Sequence, residues 1–174
     1  MAIEIPGVYA SGANGARRFE GAGGLTVYTE TLEYQTAEAP GFIDITGDVS
    51  AVVERSGIGF GTANVFSKHT TASIRLNEHE PLLLRDMARI LRNAAPQDAY
   101  YEHNDFSRRT VNMNEGECAN GHSHCQHLFL GTSETLPLLD GQLVIGQYQS
   151  LFLVELDHPR GREVLVTVMG LQMI

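Results

Sequence analysis

The chain has 174 residues, 43% apolar and 19% charged, no tryptophan, and a formal net charge of −9. That length predicts a single domain, able to bury roughly 70% of its unfolded surface without disulfides or a structural metal. The acidity argues against nucleic acid and anionic membrane surfaces as partners, because phosphate binding needs a basic patch.

Residues 1–24, rich in Gly, Ala and Ser, read as a loosely ordered N-terminal extension or edge segment. Their opening, MAIEIPGVYASGANG, lacks the basic-then-apolar pattern of a signal peptide. No later apolar run approaches the ~20 residues of a membrane helix, so a cytoplasmic location is expected. The domain proper is taken as 25–174. LTVYTETLEYQ is dense in strand-favouring Thr, Tyr and Val. A turn at Ala39-Pro40-Gly41 leads into GFIDIT, which Gly47-Asp48 is expected to break; residues 49–55 suit a short helix or a strand. Glycines 57, 59 and 61 mark a bulged approach to TANVFSKH.

TASIRLN alternates cleanly, with Ala72, Ile74 and Leu76 on one face. A helix follows, its apolar stripe Leu83, Met87, Ile90 and Leu91 predicted as core, with Pro81 in its first turn and Pro96 past its end. Residues 98–120 have neither period and read as a polar loop with interleaved aromatics, of the kind that carries function. In ECANGHSHCQHLFLGTS, Ser123 is a candidate N-cap. Cys125, Leu128 and Phe129 form a short apolar stripe, and Gly131 closes it, so a short helix is predicted. Its N-terminus is expected to favour anions. TLPLL and QLVIGQY flank Asp140-Gly141, a strong hairpin signal. SLFLVELD and EVLVTVMGLQMI complete the strands across His158-Pro159-Arg160-Gly161. Short turns between strands argue for antiparallel pairing. The predicted class is α+β, a mostly antiparallel β-sandwich-like sheet with one long and one short helix.

Chemistry-bearing residues gather at Lys68-His69-Thr70-Thr71, at Asn77-Glu78-His79-Glu80, at His103-Asn104-Asp105 and from Asn120 to His124, all strand ends or loops. Imidazoles suit an open zinc site, although no HExxH or CxxC pattern is present. His124 and His127, three apart on a helix, would lie side by side. Gly131-Thr132-Ser133 reads equally as a phosphate cradle or as a helix end and turn. Glu78 and Glu80 suit the first turn of the long helix through its dipole. Arg108 and Arg109 read as surface charge, and Cys118 and Cys125 as inert reduced thiols.

The ordered segments FSKHTTASIRLNE, YYEHND, GECANGHSHCQHLFLGTS and LPLLDGQLVIGQYQSLFLVELDHPRGREVLVTVMG resemble the YjbQ family of secondary thiamine-phosphate synthase-like proteins, over Thr26 to Gly170. The resemblance implies a homotrimer and a weak thiamine-phosphate synthase activity that joins a pyrimidine pyrophosphate to a thiazole phosphate. By the same resemblance His69, His103 and His124 are the expected metal ligands. Three imidazoles favour zinc over magnesium as the divalent metal. Glu78, Asp105 and His122 are the expected catalytic groups. Lys68, Asn120, Ser133 and Arg160 are expected to bind a small phosphorylated metabolite. A non-enzymatic metal- or metabolite-binding trimer and a zinc-dependent hydrolase use the same residues.

Overall fold

The computed structural model describes residues 8–11, 15–21 and 23–173. The strands are β1 (Val8–Ser11), β2 (Arg17–Glu20), β3 (Leu25–Gln35), β4 (Gly41–Asp44), β5 (Ile58–Ser67), β6 (Ala72–Glu78), β7 (Ser133–Leu139), β8 (Gln142–Leu143), β9 (Gln149–Glu155) and β10 (Gly161–Gln172). The helices among the described residues are α1 (Thr46–Ser56), α2 (Pro81–Ala94) and α3 (Gly121–His127), with a 3-10 turn at Glu102–Asn104. Seven strands form one antiparallel sheet in the order β1-β2-β3-β10-β5-β7-β8, and three form another, β4-β9-β6.

The period-2 pattern of β10 explains its central place. Val164, Val166 and Val168 are fully buried on one face, while Leu165, Thr167 and Met169 stand on the other. Ala63 and Val65 of β5, Leu136 and Leu138 of β7, and Val49, Val52 and Val53 of α1 complete this core with Ile74, Leu151 and Leu153 of the small sheet. The unbroken apolar run of β9 has a different cause. Leu151 and Leu153 face the large sheet, whereas Phe152 and Val154, with Leu156 beyond the strand, face α2. A strand covered on both sides has no polar face to alternate.

The extension contains two strands. β2 pairs with β3 and β1 with β2, so part of 1–24 continues the large sheet at its edge. Residues 1–7 and 12–14 lie outside the described residues. The strand from Gly41 ends at Asp44, before Gly47-Asp48, and residues 49–55 take the helical alternative, because Val49, Val52, Val53 and Ser56 recur at helical spacing and bury α1. Gly57 ends that helix in the left-handed region, φ 67°.

α2 is turned relative to the predicted stripe. Ala88 and Leu91 are its buried residues, Leu84 packs beside them, and Ile90 is exposed. Packing against Phe152 and Val154 selects that face. Glu80 caps the helix, its carboxylate accepting from the Leu82 and Leu83 amides at 2.9 and 2.7 Å, and Pro81 occupies the first position. Asp140 and Gly141 both take positive φ, 51° and 75°, as the predicted tight hairpin requires.

Candidate functional site

α3 is placed by its first residues. Its N-cap is Asn120, not Ser123. The Gly121 amide donates to Asn104 Oδ1 at 2.8 Å, tying the helix to the 3-10 turn. A Cβ on Gly121 would lie 2.6 Å from Tyr101 Cβ, so only glycine allows this approach. Ser123 is buried inside the first turn and donates to Leu156 O at 2.7 Å, pinning α3 to the end of β9. With its first amide already taken, the helix start is not the open anion site expected from the sequence. The predicted apolar stripe is not buried either: Leu128 is 82% exposed and Phe129 64%.

This docking brings His103 against His124. The rings meet edge to face, centroids 4.6 Å apart and planes at 67°. His103 Nε2 is buried with no hydrogen-bond partner. Burial holds His124 below the ordinary imidazole pKa, and the neighbouring His103 adds to the effect while Asp157 opposes it. Burial likewise lowers His127, against a hydrogen bond to the Ala72 carbonyl. It lowers His122 against the charge of Asp157. These three rings are therefore neutral at pH 7, the state that binds metal or accepts a proton.

The turn after β9 forms the opposite wall. Glu155 and Arg162 are 1% and 3% exposed along their side chains. Arg162 Nε donates to Glu155 Oε2 at 2.7 Å, and the same carboxylate accepts from the Leu156 and Asp157 amides at 3.1 and 2.9 Å. This buried pair fixes where Asp157 begins the turn. Arg160 Nη2 donates to Asp157 Oδ2 at 2.5 Å, Asn120 Nδ2 donates to the same oxygen at 3.3 Å, and His158 Nδ1 lies 3.0 Å from Oδ1. Burial alone would raise the Asp157 carboxyl, but the bonds from His158 and Asn120 and the Arg160 charge outweigh it, and its pKa is lowered.

Cys118 Sγ sits 3.7 Å from His158 Nδ1 and 3.7 Å from Arg160 Nη2. Among the described residues, Cys118, Asp157 and His158 are the one group of three whose ligand atoms lie within 4.8 Å of one another. Arg160 already reaches all three, so a metal ion there would have to displace a guanidinium from a carboxylate.

The predicted residues divide accordingly. His103, His124, Asn120 and Arg160 come together around α3 and the β9–β10 turn. His69 does not join them within one chain: its Nε2 accepts from the Glu163 amide at 2.8 Å, and it lines a separate cavity with Tyr34 and Arg162. Burial, with Arg162 adding, lowers its pKa. Lys68 is paired with Glu163 beside it. Glu78 is exposed at the end of β6, opposite Gln149. Asp105 closes its own loop, accepting from the Ser107 amide and hydroxyl at 3.1 and 2.6 Å. Ser133 opens β7, paired with Phe66. His122 lies on another face of α3, its Nε2 3.1 Å from Ser123 Oγ. Asp157 and His158 are not among the site residues expected from the sequence, and Cys118, expected to be an inert thiol, lies beside them. The Asp157-His158-Pro159-Arg160 run in the turn after an apolar strand was the available signal for the first two; nothing local links Cys118 to a turn 40 residues away.

A family model described as UPF0047 protein YjbQ-like matches residues 30–171. A UPF0047 protein of Methanothermobacter thermautotrophicus is 40% identical over 146 residues, which span 84% of this chain and 94% of that one. The chain belongs to the YjbQ-like UPF0047 family. UPF0047 protein YugU of Bacillus subtilis is 32% identical over 81% of this chain and 98% of its own. Among solved structures, a YbjQ-like protein of unknown function from Sulfolobus solfataricus superposes with a TM-score of 0.75 at 34% identity, covering 84% of this chain and 99% of that one. A hypothetical protein from Aeropyrum pernix gives 0.72 at 28%, covering 82% and 98%. The antiparallel α+β architecture is thus that of the YjbQ-like fold. Strands β1 and β2 precede the span that the family model matches.

Proposed function

We propose that this YjbQ-like protein is a metal-dependent enzyme of small phosphorylated metabolites, with His103 and His124 as ligands to one divalent ion, zinc in preference to magnesium. The edge-to-face pair, 4.6 Å between centroids, with the buried unpartnered Nε2 of His103, carries this reading. Imidazole donors suit zinc, whereas magnesium prefers carboxylate and water. A bound zinc supplies Lewis acidity toward a phosphoryl oxygen or a water of lowered pKa. Arg160 and Arg109 bring positive charge to the same neighbourhood for the substrate phosphate, each held by a carboxylate, Asp157 and Glu117. His158, hydrogen-bonded to Asp157, is placed to move a proton. Transfer of the thiamine-phosphate synthase type is the reaction that the resemblance offers, as a weak activity.

Assembly belongs to the same proposal. The outward face of the large sheet carries Leu25, Phe60, Phe66, Met169 and Leu171 exposed. Leu171 is in register with Leu25 on one side and Phe60 on the other, so the apolar stripe crosses three strands. Such a face in mid-sheet calls for a cover, and a second and third copy of the chain provide it in a homotrimer. His69 binds the amide of Glu163, which lies on the sheet's outward face, so trimer formation is the step that can bring its imidazole to a metal held by a neighbour.

The deciding experiment is metal content by elemental analysis on untagged protein purified without chelator, beside His124→Ala, followed by turnover of phosphorylated and pyrophosphorylated metabolites. About one zinc per chain, lost with activity in an intact His124→Ala assembly, is expected. A metal-replete, fully active variant would refute it. The paired state of Arg109 and Arg160 favours one alternative, a trimer that binds its metabolite without turning it over; turnover of any compound in the screen rejects that.

A further inference from the structure

α2 carries two arginines whose charge the fold leaves unpaired. Nine of the 12 Lys and Arg side chains form ion pairs among the described residues; the other three are Arg17, Arg85 and Arg92. Acids outnumber bases 21 to 12, so a shortage of carboxylates is not the reason. Seven residues apart, Arg85 and Arg92 lie within about 20° of one another round the helix, and Ala88 stands between them on the same stripe. That stripe borders the face that α2 buries, because packing on Phe152 and Val154 turns Ala88 and Leu91 inward. Arg89, next to Ala88, is bound to Asp86 at 2.8 Å.

The two unpaired arginines line one cavity of 290 Å³ between α2 and β4, with Pro40, Phe42, Leu84 and Ala88 as its apolar wall. That volume is about ten times the ~30 Å³ share of a water molecule. Phe42 and Leu84 pack against the buried cluster of Leu91, Phe152, Val154 and Leu156, which fixes the wall. Glu38 is the one acid lining the cavity, and it pairs with neither arginine, so two positive groups stand against one negative. Arg92 also borders a neighbouring cavity that reaches His122 of α3. The acids there are Asp98 and Asp157. Neither pairs with Arg92, and Asp157 is already held by Arg160. A guanidinium presents a planar fork of donors that matches a carboxylate or a phosphate. An exposed ion pair by itself is weak, but two forks beside an apolar wall are complementary to an oxyanion joined to an apolar body.

We infer that this cavity binds a small organic anion, a carboxylate or phosphate group on a compact apolar body, with the anionic group between Arg85 and Arg92 and the body against Phe42 and Leu84. Neither His103 nor His124 lines it, so the site does not depend on a metal held there.

The test uses the full-length protein labelled with ¹⁵N-arginine and follows the Nε–H signals of Arg85 and Arg92 as a probe is added. Benzoate and phenyl phosphate are the two anions. Benzamide has the body without the charge, and acetate the charge without the body. Saturable shifts at both arginines are expected with at least one aromatic anion, with benzamide and acetate each at least about tenfold weaker. The tighter of benzoate and phenyl phosphate identifies the anionic group. Arg85→Gln and Arg92→Gln should each weaken that binding about fivefold, the upper end for an exposed pair. Both positions are exposed, so the fold is kept. No saturable shift with either anion overturns the proposal. Benzamide bound equally overturns it in favour of a merely apolar hole, acetate bound equally in favour of plain surface charge, and unchanged affinity in either variant removes the arginines from the site. The arginine signals report neither metal content nor turnover, so this proposal and the metal-site proposal fail separately.

Discussion

His103 and His124 come from segments 21 residues apart and meet edge to face, ring centroids 4.6 Å apart. The contact exists because Gly121 lets α3 press on Tyr101 while Asn104 receives its first amide. Adding a methyl group there is the most direct way to separate the rings. Gly121→Ala should cost about 1–3 kcal/mol by overpacking and should also weaken metal binding, although residue 121 is not a ligand. Denaturant unfolding and zinc titration of the same variant check both. A variant that loses stability and keeps full zinc affinity would show that the 3-10 turn does not position His103.

The two proposed ligands should behave alike. Loss of an outer-shell partner costs about 10–100-fold in metal affinity, so loss of a ligand itself should cost at least that. His103→Ala and His124→Ala are each expected to lower zinc affinity by that factor, measured by competition with a chelating dye. Wild-type affinity in either one removes that histidine from the site.

Stability should depend on pH in the imidazole range. His69, His122, His124 and His127 all have pKa values held below the ordinary 6.5, burial being the largest cause in each. The unfolded chain takes up protons near that value while the folded chain does not. From there down to the lower folded values, stability falls as pH falls. The urea midpoint should therefore be lower at about pH 5.5 than at about pH 8, at fixed protein concentration. Equal midpoints would mean that these rings titrate normally in the folded protein.

The Glu155–Arg162 pair carries the turn that holds Asp157. Arg162→Met leaves a buried carboxylate without its cation, an uncompensated charge worth about 3–5 kcal/mol. The loss should appear as a lower unfolding midpoint. If the variant is as stable as the parent, water reaches Glu155 and the pair is not what fixes the turn.

On the outward sheet face, Phe66 is opposite Leu165 of β10 and Ser133 of β7. A charge introduced there costs nothing in a lone chain and much in a covered interface. Phe66→Glu should shift sedimentation velocity from the proposed trimer to monomer while far-ultraviolet circular dichroism is unchanged. A variant that sediments as a trimer places the interface elsewhere.

Local physics made much of this molecule readable from its sequence. The alternation in β6, the Asp140-Gly141 hairpin, the Pro81 helix start and the residues grouped from Asn120 to His124 depend on neighbours within a few positions, where propensity and periodicity act. The misreadings came where a distant surface chose. α2 buries Ala88 and Leu91, with Leu84 packed beside them, and leaves Ile90 exposed because Phe152 and Val154 receive it. For residues 49–55, which suited helix or strand, α1 forms because Val49, Val52 and Val53 bury against the large sheet. The site divides in the same way. The sequence alone supplied its histidines and the resemblance. Only tertiary packing decided that His103 meets His124, that His69 is engaged elsewhere, that Arg160 and Asp157 close the wall, and that His122 faces a different cavity. Contacts between segments tens of residues apart follow from which faces bury together, and no local period carries that information.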